Sequence, residues 1–172
     1  MDVYLEYMIK KKKTPVEHII TLGYYLLAFA VSYVLLFVKY ITMFYPALVV
    51  GAFWLAWYMS RKFNVEYEYI LTNDELDVDR IIAKRIRKRL LTVSVRKFEI
   101  MEPAVGEAFE KAMADSSIQV KFDASLGANS ENRYYAKFIN KKGEKMILVF
   151  NPTDNMLRAM KQSNMRNVYL EG

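Results

Sequence analysis

The densest chemistry-bearing cluster in the chain is Lys84, Arg85, Arg87, Lys88 and Arg89, five cations within six residues. Such a cluster attracts phosphate, on a lipid surface or on nucleic acid. No aromatic side chain is interleaved in it and no nucleic-acid motif accompanies it, so a nucleic-acid partner is not expected. Against an anionic leaflet each cation is worth about 1 kcal/mol. The plain alternative is a solvated hairpin turn whose charges blunt a sheet edge. An acidic group, Asp74, Glu75, Asp77 and Asp79, precedes it. It lacks the glycine and the twelfth-position glutamate of a calcium loop, and Asp77 and Asp79, which share one face of a strand, read as decoration of an exposed face. His18 is the sole histidine and cysteine is absent. Those two counts exclude thiol chemistry, Cys-ligated zinc and multi-histidine metal sites. There is no glycine loop for phosphate. No catalytic, metal or cofactor-binding residue is therefore expected, and the chain reads as non-enzymatic.

The elements that position these groups divide sharply. The chain has 172 residues with 53% hydrophobic and 26% charged residues, and a net charge of +6. Residues 19–38 carry no charge, Lys39 interrupts, and residues 40–60 again carry none. A helix needs roughly 20 apolar residues to cross a membrane. Each stretch is read as a span, the second starting near Pro46, which suits a first helical turn. Lys10, Lys11, Lys12 and Lys13 precede the first span, and Arg61 and Lys62 follow the second. Basic flanks stay cytoplasmic. Two such flanks on one side require an even number of crossings, so these six residues act as topology determinants. Trp54, Trp57 and Tyr58 at one end and Tyr40 and Tyr45 at the other suit interfacial belts. His18, beside Glu17, suits interfacial anchoring. Gly23 and Gly51 offer sites for close helix packing. A cleavable signal peptide is not expected, because a second span follows directly. The spans hold no Asp, Glu, Lys or Arg, which argues against an ion pathway.

From residue 63 the pattern has a period of two. Residues 65–72 (VEYEYILT) and 75–82 (ELDVDRII) flank an Asn-Asp turn and read as a hairpin. The basic turn, residues 83–88, leads to a third strand at 89–95, and 98–102 forms a fourth. Ala108, Phe109, Ala112 and Met113 share one face of a helix near 105–114. Strands follow at 118–124, 133–140 and 144–150, the last two around Lys141-Lys142-Gly143. Asn151 is the expected N-cap of a final helix, with Pro152 in its first turn. Met156, Met160 and Met165 read as core and helix face.

This order, the segment YEYILTNDELDVDRIIAKRIRKRLLTVSV and the terminal FNPTDNMLRAMK resemble bacterial pleckstrin-homology-like (PH-like) domains. More closely, the chain resembles small membrane-anchored proteins of Firmicutes with two transmembrane helices, whose function is uncharacterised. The resemblance implies an α+β fold: a transmembrane helical hairpin, then a small antiparallel β-barrel or sandwich of about seven strands capped by a C-terminal helix. The domains would be a cytoplasmic basic segment (1–18), the hairpin (19–62) and a cytoplasmic PH-like domain (63–172). Relatives that bind phosphoinositides use basic residues around the first strand pair, whereas the turn here is Thr72-Asn73-Asp74-Glu75. The expected protein is a multi-pass cell-membrane scaffold or accessory module, integral to the bilayer, with both termini cytoplasmic and a protein or peptide partner. The alternative is sensing of anionic lipid through Lys84, Arg85, Arg87, Lys88 and Arg89.

Overall fold

The computed structural model describes residues 3–140 and 142–170. Its first element lies inside what the sequence marks as a basic flank. Tyr4–Lys10 is a strand, β1, paired antiparallel with β2 (Val65–Thr72) from Tyr4↔Thr72 to Lys10↔Glu66. Leu5, Tyr7 and Ile9 alternate along β1 and face the partners Leu71, Tyr69 and Tyr67. Ile9 is buried, and Leu5 packs against the same core. The unit therefore begins before the helices, not at residue 63. The helical pair is inserted in the connection between two adjacent strands.

The first helix, α1, spans Pro15–Leu35, four residues earlier than the uncharged run suggests. The cause is local. The Thr14 side chain accepts from the Glu17 N–H at 3.3 Å, and the Glu17 carboxylate accepts from the Thr14 N–H at 2.8 Å. This reciprocal cap satisfies two orphan donors, and Pro15 needs none. At 1.5 Å per residue α1 is about 31 Å long, and it is long and apolar enough to cross a membrane. A short 3-10 turn at Lys39–Ile41 precedes α2, Tyr45–Ser60. With 16 residues, α2 alone falls short of the length expected for a second span. The two helices pack together, with Tyr24, Ala28 and Val31 opposite Met59, Ala56 and Ala52. Gly23 and Gly51 take no part in this contact, since a Cβ on either would meet nothing within 4 Å. The buried residues of the pair are Ala28 and Ser32 on α1 and Ala56 and Ser60 on α2.

The remaining strands are β3 (Glu75–Ile82), β4 (Ile86–Ser94), β5 (Phe98–Pro103), β6 (Val120–Asp123), β7 (Tyr134–Ile139) and β8 (Lys145–Phe150). They form two four-stranded sheets, ordered β1-β2-β3-β4 and β5-β7-β8-β6. The described strands thus number eight, and not all are antiparallel, because β6 runs parallel to β8. The crossover from β5 to β6 carries α3 (Gly106–Ala114). Its Ala112 packs with Ile118, Tyr135, Ile147 and Val149 on the outer face of the second sheet. The inner face of that sheet, through Phe138, Leu148 and Phe150, meets Leu71, Leu76 and Val78 of the first. A strand covered on both faces has no reason to alternate, and β8 is buried from Met146 to Phe150.

The last helix, α4 (Asp154–Ser163), adds Met156, Leu157 and Met160 to the core both sheets share. Its N-cap is Thr153, whose hydroxyl accepts from the Met156 N–H, and not Asn151. Asn151 is buried and committed elsewhere. Its side chain accepts from the Leu126 N–H at 2.8 Å and donates to the Glu131 carbonyl at 2.7 Å, pinning the polar loop before β7. Met165, beyond the helix, is exposed and not core. The chain then returns to β5, where the Met101 and Tyr169 amides bond the carbonyls of Asn167 and Met101. That segment covers one edge of the second sheet.

Candidate functional site

Three basic groups that are distant in sequence meet at one end of the helical pair. The Lys11 N–H donates to the Val65 carbonyl at 3.0 Å, joining the entry of α1 to the exit of α2. The Ala83 N–H donates to the Asn64 carbonyl at 2.8 Å, bringing the β3–β4 turn to the same place. The Arg61 guanidinium reaches the Ala83 carbonyl at 3.4 Å. Lys10 to Lys13, Arg61-Lys62 and the turn cations Lys84 and Arg85 therefore form one basic collar at the base of the helices. The structure merges what the sequence presents as two signals, six topology residues and a separate basic turn.

The turn is shorter than the sequence suggests. Strand β4 starts at Ile86, so Arg87, Lys88 and Arg89 are strand residues. Only Ala83, Lys84 and Arg85 make the loop, closed by a hydrogen bond from the Arg85 N–H to the Ile82 carbonyl at 3.0 Å. Ala83 and Lys84 both adopt left-handed φ, 52° and 58°, the conformation a tight hairpin turn demands.

The five cations then separate by role. Arg87 pairs with Asp79 at 2.9 Å and with Glu68, and Arg89 pairs with Asp77 at 2.6 Å and with Asp79. Register explains this: Glu68, Asp79 and Arg89 lie in one row across β2, β3 and β4. Hydrogen bonding to Asp79 raises the Arg89 pKa further above its ordinary value. Glu68 and Asp79 are each 3% exposed. Asp79 is thus no exposed-face decoration, because two arginines lie over it and replace the water it would otherwise bind. Lys84, Arg85 and Lys88 are exposed and make no ion pair among the described residues. Asp77 and Asp74 are likewise engaged, whereas Glu75 is exposed. Asp77 accepts from Thr92 at 2.5 Å, and Asp74 accepts from Ser94 at 2.7 Å and faces Arg96 at 3.3 Å. No group of three or more His, Asp or Glu among the described residues could hold a metal ion.

Two clefts flank the collar, each of about 480 Å3. One is walled by Lys10, Lys11, Lys12 and Lys13 with His18 and Asn64. There Lys11 is partly neutralised by Glu17 at 2.9 Å, and His18 is exposed. The other lies between the end of α2 and the β3–β4 turn, with Arg61, Lys62 and Arg85 beside Tyr58, Met59, Ile82 and Ile86. Two of its cations are positioned by aromatic rings. The Arg61 guanidinium lies 4.8 Å from the Trp57 ring centre, and the Lys62 ammonium donates to the Tyr24 hydroxyl at 2.8 Å. Ring faces attract cations, so both side chains are held at the rim.

A separate buried polar cluster lies within the sandwich. The Tyr69 hydroxyl donates to the Ala124 carbonyl at 2.5 Å and accepts from the Asn151 N–H at 3.3 Å. Burial pushes its pKa far above the phenol range, so it stays a neutral donor. Every partner is structural, and the cluster ties the two sheets together.

The family model described as Bacterial PH-like domain (DUF6106) matches residues 1–170. The chain belongs to this family. The match starts ahead of α1 and so covers β1, the helical pair and both sheets. No curated protein and no solved structure matches the chain.

Sequence reasoning missed β1, the capped start of α1, the Asn151 contacts and the buried Glu68–Asp79 pair. Two of these had a signal. Leu5, Tyr7 and Ile9 alternate in YLEYMIK, and Thr14-Pro15-Val16-Glu17 carries the spacing of a capping box. The other two rest on long-range contacts with no local signature.

Proposed function

We propose that this PH-like chain is a non-enzymatic, two-span membrane module that holds a protein or peptide partner at the inner membrane surface. The observation that carries the reading is the pairing of β1 with β2. These strands flank the helices, so a chain that leaves through α1 must return through α2 to reach its own sheet. The uncharged residues 40–60 include the turn before α2 and extend its reach. The collar lies where the helices meet the sandwich, and basic residues favour the cytoplasmic side. The partner surface is the outer edge of β4, nine residues with no strand beside it among the described residues. An extended peptide can add to such an edge.

The absence of natural cysteine makes the topology directly testable. Tyr40→Cys should react with an impermeant maleimide only from outside intact cells, and Lys88→Cys only after permeabilisation. Labelling of both from one side would refute two crossings. A photocrosslinker at Lys88 in native membranes should capture one recurrent partner, and repeated capture of none would count against the partner reading.

A second reading, contact with anionic lipid through the turn, is supported by Lys84, Arg85 and Lys88, which make no ion pair among the described residues. It predicts that neutralising these three removes salt-dependent attraction to anionic vesicles, while neutralising the already paired Arg87 and Arg89 does not. Equal losses from both sets would sink it.

A further inference from the structure

We propose that the cleft between α2 and the β3–β4 turn seats one anionic glycerophospholipid of the inner leaflet, its phosphate on Arg61, Lys62 and Arg85 and its upper acyl chain along Tyr58, Met59 and Ile86. The inference rests on the reading that the helices are embedded in a bilayer, and it adds a defined site to that reading. Four observations support it.

First, the cleft is amphipathic in the right order. Its apolar wall continues from α2, and its three cations lie where the helix ends. Among the described residues no carboxylate lines it, unlike the Lys10–Lys13 flank, where Glu17 offsets one lysine. Second, two of the cations are pre-organised. Arg61 rests on Trp57, and Lys62 is fixed by Tyr24 and Phe63. A held guanidinium loses less entropy when it binds a phosphate bidentately. Third, Arg85 is exposed with no ion pair among the described residues. The two left-handed residues just before it fix the turn that places it. Fourth, Ile86 is 63% exposed at the mouth of the cleft. A large aliphatic side chain beside three cations suits neither open water nor a polar ligand. An acyl chain covers it. The volume of about 480 Å3 suits a headgroup with the first part of its chains.

The charge division described above makes the proposal specific. Arg87 and Arg89 are excluded, because Glu68, Asp77 and Asp79 already bind them. Arg61 and Lys62 gain a binding role beyond topology.

The chain contains two tryptophans, and Trp57 supports Arg61. The full chain carrying Trp54→Phe is reconstituted in vesicles of phosphatidylcholine mixed with phosphatidylglycerol, with the acyl chains of one or the other brominated to quench Trp57. Brominated phosphatidylglycerol should occupy the site at least about fivefold more favourably than brominated phosphatidylcholine, the factor that one near-surface cation supplies. Arg61→Gln with Arg85→Gln should bring the ratio close to unity. Arg61→Lys with Arg85→Lys should restore part of it, which guards against loss through misfolding. Lys12→Gln with Lys13→Gln, an equal change of charge on the opposite flank, should leave the ratio near its starting value.

A native ratio near unity, or an equal fall in the Lys12/Lys13 variant, would overturn the site while leaving insertion intact. Equal quenching that a soluble acidic peptide relieves would assign the cleft to a protein segment instead and overturn the lipid. Absence of quenching by both lipids would show that α2 lies outside the bilayer, and the two-span reading would fall with the site.

Discussion

Leu26, Phe29 and Phe37 on the helical arm point away from the rest of the chain, whereas Leu71, Leu148 and Phe150 in the sandwich are fully enclosed. The two regions hold similar side chains and dispose of them in opposite directions. The difference follows from the backbone. A helix satisfies its own N–H and C=O groups, so it can turn an apolar surface outward to hydrocarbon. A strand needs neighbours for its backbone, and its apolar face must then close on a second layer. The arm and the sandwich meet at the collar, where polarity changes over a few residues. Placing the arm between two paired strands fixes where along the chain that change falls.

The contrast is tested most severely by one substitution made in both regions. Leu148→Ala removes a fully buried side chain and should cost about 2–5 kcal/mol of sandwich stability. Leu26→Ala, 60% exposed on α1, should leave the unfolding midpoint of the sandwich unchanged. Denaturation of the full chain in micelles, followed by amide exchange of β7 and β8, measures both. Comparable losses would mean that the arm is part of the core.

The reverse test puts a charge on the outward face. Phe29→Arg should oppose membrane integration by about 3 kcal/mol, seen as release of the chain by alkaline carbonate. The fraction that remains integrated should keep native amide protection in β2 and β3.

The boundary itself is probed by Ile9, which precedes the arm in sequence yet is buried in the sandwich. Ile9→Ala should destabilise the sandwich by about 2 kcal/mol, the low end for such truncations because β1 is an edge strand. A chain starting at residue 64 should lose at least as much. No effect from Ile9→Ala would return residues 4–10 to the role of a flank.

The smallest expected effect is a pH dependence confined to the sandwich. Hydrogen bonds from Ser117, reinforced by Lys137 at 3.2 Å, hold the Asp115 pKa down at about 2. A folded pKa below the unfolded value of about 4 adds stability that is fully present above pH ~4 and lost as pH falls through about 2. Asp115→Asn should therefore flatten the dependence of unfolding on pH in that interval only. An unchanged slope would place its ionisation outside the folding equilibrium.

Much of the sandwich was legible because its cues are local. The alternation in VEYEYILT and ELDVDRII locates β2 and β3 to the residue, and Pro103 marks the end of β5. Asn73 takes left-handed φ at the first turn, as the Asn-Asp pair suggests. The start of β4 was misplaced because Arg87, Lys88 and Arg89 run together at its start and leave no apolar alternation there. Asn151 was misread for a related reason. Its type and position suit a helix cap, and only the distant loop at residues 126–131 reveals what it binds.

Residue order by itself determined the kinds of element, the apolar arm and the surplus of cations around it, since each depends on neighbours within one or two turns. Tertiary structure alone decided that residues 4–10 join the sheet, that β6 runs parallel to β8, and which cations are spent on carboxylates. These pairings link residues far apart in sequence, such as Tyr4 with Thr72 and Val120 with Met146, and depend on which backbone edges remain unsatisfied once every other strand is placed. The collar is the plainest case. Its three basic segments share no local pattern, and closure of β1 onto β2 brings them to one surface.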